Sequence, residues 1–133
     1  MGQDNEKYSL RWDVDTYESI RTDLLESLPF EYPGSATEVT YTYPEFTSVC
    51  PWTGLPDFGT LTITYTPREK LVELKSLKYY LNSFRNVGIL QEHVVNRVKE
   101  DLVKLLQPVS LTVTAEFNPR GGIGTLVRAD YQS

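Results

Sequence analysis

The sequence predicts an α+β domain in which an antiparallel sheet carries two helices on one face. Three observations predict it. Apolar residues alternate over two stretches early in the chain, switch to helical spacing through the middle, and return to alternation at the end. Strands, then helices, then strands read as two hairpins flanking a helical pair, not as a parallel doubly wound sheet.

The elements follow in order. Residues 1–15 are polar and without period, and read as a loose arm. In TYESIRTDLLESL, Tyr17, Ile20, Leu24 and Leu28 fall about one turn apart, which predicts a short amphipathic helix over 16–28. Pro29 and the Pro33-Gly34 pair end it. Residues 1–35 thus form an N-terminal extension, and 36–133 a single domain. Val39, Tyr41 and Tyr43 alternate with Glu38, Thr40 and Thr42, a strand with one wet face. The turn-rich run SVCPWTGLPD follows. Leu61, Ile63 and Tyr65 alternate with threonines in a second strand, ending at Pro67.

Over 73–86, Leu74, Leu77, Leu81 and Phe84 make one apolar stripe, with Gly88 where a helix-ending glycine belongs. Over 91–106, Val94, Val98, Leu102 and Leu105 make another, closed by Pro108. Leu111, Val113, Ala115 and Phe117 then alternate with polar residues, and a Pro119-Arg120-Gly121-Gly122 turn leads to a last strand over 123–131. The order is β-β-α-α-β-β. Two helices cover one sheet face, and four strands leave two open edges, so an oligomer joined edge to edge is the natural completion.

Composition narrows the function. A chain of 133 residues suffices for one core, not for separate dinucleotide and substrate domains. A net charge of −5 argues against a nucleic-acid protein held by bulk charge. No apolar run approaches the roughly 20 residues of a membrane span, and the N-terminus has no signal core. Neither nucleic acid nor membrane is expected as a partner. Cys50 is the single cysteine and His93 the single histidine, which excludes an internal disulfide, a cysteine zinc cage and a multi-histidine metal site. A reducing, cytoplasmic setting fits, and no metal is expected.

Cys50 lies in the turn-rich loop before Pro51, where it is either a small buried hydrophobe or a nucleophile. Asp57 closes that loop. It is a turn residue binding its own backbone, or a carboxyl folded back toward the thiol. Glu73 and Glu92 open the two helices, where the dipole alone favours acids. Glu92 with His93 also fits an acid–base pair. Lys75, Lys78, Asn82 and Arg85 share one side of the first helix, a solvated face or a phosphate site; Arg120 beside two glycines offers another. No glycine-rich dinucleotide fingerprint or P-loop is present.

The run FTSVCPWTGLPDF, with ELKSLKYYLNSFRN, QEHVVNR and FNPRGGI, resembles the queuosine-pathway nitrile reductases of the short, single-domain type. The resemblance spans about 44–127 and hardly touches the first 35 residues. It implies a tunnelling fold, sheets joined across subunits, and a homo-oligomer with active sites at its interfaces. It also implies NADPH-dependent reduction of 7-cyano-7-deazaguanine to the aminomethyl base. By that resemblance Cys50 forms a covalent thioimide and Asp57 donates a proton. Val72, Glu73, Leu74, Gln91 and Glu92 contact the substrate, and Lys75, Lys78 and Arg120 hold NADPH. Gln91 stands where many members carry histidine, which puts a titrating role for that position in doubt. Two alternatives stand beside this reading. One is a related amidinotransferase acting on the cyano-modified base in tRNA, which lacks the ELKSLKYY motif. The other is a non-catalytic purine- or pterin-binding module on the same fold.

Overall fold

The computed structural model describes residues 11–133, so the loose-arm expectation for 1–10 lies outside the described residues. The chain runs β1 (Ser27–Pro29), β2 (Val39–Val49), β3 (Pro56–Thr66), β4 (Lys70–Val72), α1 (Leu74–Asn82), α2 (Gln91–Leu106), β5 (Ser110–Arg120) and β6 (Ile123–Gln132). Antiparallel strands in the order β2-β3-β5-β6 form the main sheet, leaving β2 and β6 as edges, and β1 pairs with β4 in a small second sheet. The mixed α+β class with two helices is the one the sequence predicts; β1 and β4, each of three residues, were too short to leave a period.

One face of the sheet packs on the helices. Leu61, Ile63, Leu111, Val113, Ala115 and Phe117 meet Leu77, Tyr80, Leu81, Phe84, Val94, Val98 and Leu102, all nearly or fully buried. The other face presents polar residues such as Thr40 and Thr64, whose hydroxyls lie 3.2 Å apart. Tyr65 is buried and its hydroxyl accepts from the Val72 N–H; burial pushes the phenol up to about 12. At Gly59 a Cβ would stand 2.6 Å from the Glu116 carbonyl and 2.9 Å from Phe117 Cα, so the close approach of β3 to β5 requires glycine. Among the described residues no helix is long and apolar enough to cross a membrane.

Three local expectations are corrected. Residues 16–28 form no α-helix but two 3-10 turns, Tyr17–Ser19 and Thr22–Leu24, and then β1. Ile20 and Leu25 are the buried residues there, and the Arg21 N–H bonds the Ser83 hydroxyl, so tertiary contacts outweigh a marginal helix. In α1 the expected stripe is rotated: Leu74 is exposed, whereas Ser76 and Tyr80 are buried. Gly88 caps no helix, because α1 has already ended; its N–H donates to the Asp15 carbonyl at 2.9 Å.

Within residues 11–35, expected as part of an extension, two segments pair with the rest of the chain. Asp15 makes a parallel bridge to Val87, and β1 pairs residue for residue with β4. Asp101 ties the turns to both helices. It accepts from Tyr80 Oη at 2.5 Å, Arg97 Nε at 2.8 Å and Thr22 Oγ1 at 3.3 Å.

Candidate active site

Two β-bulges decide which side chains meet. In β2 the register slips between Tyr43 and Phe46, so that Tyr43 pairs with Leu61 but Phe46 with Gly59. Up to Tyr43 the odd residues face the helices; beyond the bulge Phe46 and Ser48 do, both buried. In β5 the register slips between Phe117 and Arg120 in the same sense. Each slip contains a proline, Pro44 or Pro119. A bulge inserts one residue and re-aims everything after it. The result is that Cys50 and Arg120 come to the end of the sheet where Asp57, on β3, is buried.

The loop between β2 and β3 is closed on itself and on its neighbours. The Cys50 N–H donates to the Leu55 carbonyl at 2.9 Å, and the Gly54 N–H to the Cys50 carbonyl at 2.8 Å. Gly54 takes a φ of +70°, which favours glycine, and a Cβ there would press on the Arg11 guanidinium. Arg11 braces the loop from outside: its N–H reaches the Pro51 carbonyl, and its guanidinium the Thr53 carbonyl. The Val49 N–H donates to the Val87 carbonyl, and the Ile89 N–H to the Val49 carbonyl, both at 3.1 Å. This pins the segment leading into α2, whose first residues, Gln91 and Glu92, then stand beside the cysteine.

Cys50, Asp57, Gln91, Glu92 and Arg120 line one cavity of about 210 Å³, walled by Pro51, Trp52, Ile89 and Leu90. Arg120 Nη1 donates to Asp57 Oδ1 at 2.6 Å, and the carboxylate is 3 % exposed. Burial pushes the Cys50 thiol up. Hydrogen bonds from the Thr53 side chain and from the Trp52 and Thr53 backbone, with the Arg120 charge, outweigh it, and the thiol lies below its ordinary value. A half-buried thiol held below its ordinary value, beside a carboxyl, is the arrangement of a nucleophile with a proton source. Among the described residues no cluster of His, Cys, Asp and Glu is placed to hold a metal.

The remaining expected residues stand elsewhere. His93 is exposed and lines a neighbouring cavity with Tyr17 and Trp52, on the far side of the wall from Cys50. The Val72 side chain is buried in the core. Glu73 caps α1, its carboxylate accepting from the Lys75 and Ser76 N–H groups at 2.8 Å. Glu73, Leu74, Lys75 and Lys78 line a separate groove with Tyr41, Tyr43 and Ile63, sharing no residue with the Cys50 cavity. A second groove continues it, with Lys78, Asn82, Arg85 and Phe58. Arg120, expected with the lysines, lies instead on Asp57. Sequence reasoning missed the supporting contacts of Arg11 and Thr53 and the burial of Ser48. Only the prolines interrupting two alternating runs hinted at the bulges behind this arrangement.

A family model described as QueF-like protein matches residues 56–133. The NADPH-dependent 7-cyano-7-deazaguanine reductase of Caldicellulosiruptor bescii is 60% identical over 129 residues, covering 96% of this chain and 98% of its own. That of Thermoanaerobacter pseudethanolicus is 58% identical, covering 92% of each. That of Chlorobium chlorochromatii is 50% identical over 86% of this chain and 98% of its own. The apo crystal structure of the archaeosine synthase QueF-Like superposes with a TM-score of 0.68 at 23% identity. It covers 74% of this chain and 97% of that one, a likeness of fold.

Proposed function

The chain belongs to the QueF-like NADPH-dependent 7-cyano-7-deazaguanine reductases, and on that premise we propose how its residues divide the work. The reaction takes the nitrile of 7-cyano-7-deazaguanine to the primary amine of 7-aminomethyl-7-deazaguanine, an oxidoreduction of the queuosine pathway. One observation carries the assignment of roles: thiol, buried carboxyl and Glu92 share one cavity.

Cys50 sulfur adds to the nitrile carbon. A C–S bond forms, one C≡N π bond breaks, and the nitrogen takes a proton from Asp57, giving a thioimide. The hydrogen bonds that hold the thiol below its ordinary value favour the attacking thiolate over what burial alone would allow. Glu92 holds the base by accepting from its ring N–H and exocyclic amine, with Gln91 beside it as a neutral hydrogen-bonding group.

The groove along α1 fits NADPH by its donor set. Lys75, Lys78 and Arg85 supply cations and Asn82 an amide, above the apolar surface of Tyr41, Tyr43 and Phe58. NADPH supplies two hydrides, which with two protons convert nitrile to amine. Lys75 and Lys78 hold its phosphates. The Arg120 side chain is 39% exposed, so it can face a phosphate while it keeps Asp57.

A cavity of about 210 Å³ is small beside the roughly 300–1,000 Å³ of ligand pockets. Val72–Leu74 do not line it. A second copy of the chain, paired through the open edges of β2 and β6, brings its own Val72–Leu74 and lysine groove over the cavity. The enzyme is on this reading a homo-oligomer with interfacial sites, without nucleic acid or membrane as partner. It works in the cytoplasm, where the thiol stays reduced.

The test is to mix protein, 7-cyano-7-deazaguanine and NADPH and follow the loss of reduced-nicotinamide absorbance. Two equivalents should disappear per amine formed, and none with Cys50→Ala. No consumption by the intact protein, or undiminished consumption by the variant, would contradict the reading.

A further inference from the structure

Ser48 is fully buried, at 0% exposure, and its hydroxyl is the one buried side-chain polar atom without a hydrogen-bond partner among the described residues. A polar group in that state is costly, and alanine would relieve the cost at no loss of packing shape. Its position gives it a use. Ser48 is the direct cross-strand partner of Asp57, so the two side chains leave the sheet on the same face. Opposed Cβ atoms in such a pair lie about 4.5–5.5 Å apart. A turn about the serine χ1 is then enough to bring hydroxyl and carboxyl into contact. The bulge between Tyr43 and Phe46 creates this pairing; without it Thr47 would face the core in place of Ser48.

We propose that Ser48 is a positioning residue for Asp57, its hydroxyl bonding the carboxyl when the nitrile fills the cavity and aiming the acidic oxygen at the substrate nitrogen. Arg120 holds Asp57 through Oδ1. A guanidinium only donates, whereas a hydroxyl donates or accepts. Ser48 can therefore accept the acidic O–H before the proton leaves and donate to the carboxylate afterwards, whereas Arg120 can only donate.

The inference rests on Asp57 being the proton donor, and the experiment keeps the two apart. The readouts are the rate of Cys50 adduct formation with saturating 7-cyano-7-deazaguanine in the absence of NADPH, the rate of Cys50 alkylation by iodoacetamide, and the melting temperature. Ser48→Ala should melt at or above the wild-type temperature and alkylate at the wild-type rate. Its adduct should form about ten- to a hundredfold more slowly, the scale of a misplaced catalytic group. Ser48→Ala combined with Asp57→Asn should be no slower than Asp57→Asn alone, because Ser48 acts through that carboxyl. A Ser48→Ala adduct forming at the wild-type rate beside a slow Asp57→Asn overturns the role of Ser48 alone. So does a loss of rate matched by a loss of melting temperature, or a double variant slower than Asp57→Asn. Wild-type adduct formation by Asp57→Asn overturns the underlying reading of Asp57.

Discussion

Around the Cys50 cavity the backbone segments are fastened to one another, whereas the groove along α1 has a buried apolar floor edged by Lys75, Lys78 and Arg85 reaching into solvent. Cys50, Gly54 and Leu55 close their own loop, Arg11 braces it, and Val49 clasps the segment from Val87 to Ile89. Asp57 is buried and paired with Arg120. In the groove, by contrast, Lys75 and Lys78 are exposed, and the Lys75 ammonium rests 5.9 Å from the Tyr79 ring centre. Bond-making groups must be held to a fraction of an ångström before the substrate arrives. Phosphate-binding cations need only be available, since long-range attraction does the steering. On the proposed division of labour, the half that makes bonds is the fastened one and the half that recruits the cofactor is the exposed one.

Substitutions in the two regions should fail in different ways. The largest effect is expected in the fastened half. Asp57→Asn keeps the size and loses the transferable proton. Adduct formation and reduction should both fall by about 10²–10⁴-fold, while the base still binds through Glu92. Glu92→Ala should show the converse, weak binding with turnover partly recovered at high substrate. Rapid-quench mass spectrometry with a binding titration separates these outcomes, and equal losses in both would erase the distinction.

A smaller effect is expected in the groove. Lys75→Ala and Lys78→Ala should each raise KM for NADPH about tenfold or more, as a charged contact to phosphate is worth about 1.5–3 kcal/mol. The adduct needs no NADPH and should form at the wild-type rate. Steady-state kinetics beside intact-mass rates check this. Parallel losses would place the lysines on the substrate.

The smallest concerns the thiol itself. The Thr53 side chain is the leading influence lowering the Cys50 pKa against the upward push of burial. Thr53→Val removes that donor and raises the thiol. Iodoacetamide alkylation should slow a few-fold at about pH 7 and recover at about pH 9, where an ordinary thiol near 8.5 is mostly ionised. A pH–rate profile that does not move would assign the depression to backbone and Arg120.

The sequence made the two regions unequally legible. The main-sheet strands and both helices were visible because each has one buried face long enough to leave a period. The Cys50–Asp57 loop was visible through its turn residues, and the lysines through their helical spacing. What a period cannot carry was hidden. The bulges at Pro44 and Pro119 reverse the alternation after them, so the segments holding Ser48 and Arg120 lose their pattern where it matters. The Arg120–Asp57 pair joins residues 63 positions apart, and no local signal encodes it. The segment over 16–28 offered helical spacing, but its fold is set by contacts with Ser83, Ser76 and Asp101 that only the assembled chain supplies. Glu73 shows the converse. Its position fits both a substrate contact and a helix start, and within one chain it caps α1.

The central claim, that the cavity holds a nucleophile poised for the nitrile, is tested most directly by intact-mass spectrometry of the protein mixed with 7-cyano-7-deazaguanine and no NADPH. The chain should gain the mass of one substrate molecule, and peptide mapping should place it on Cys50. Absence of an adduct, or an adduct that persists in Cys50→Ala, would contradict the account.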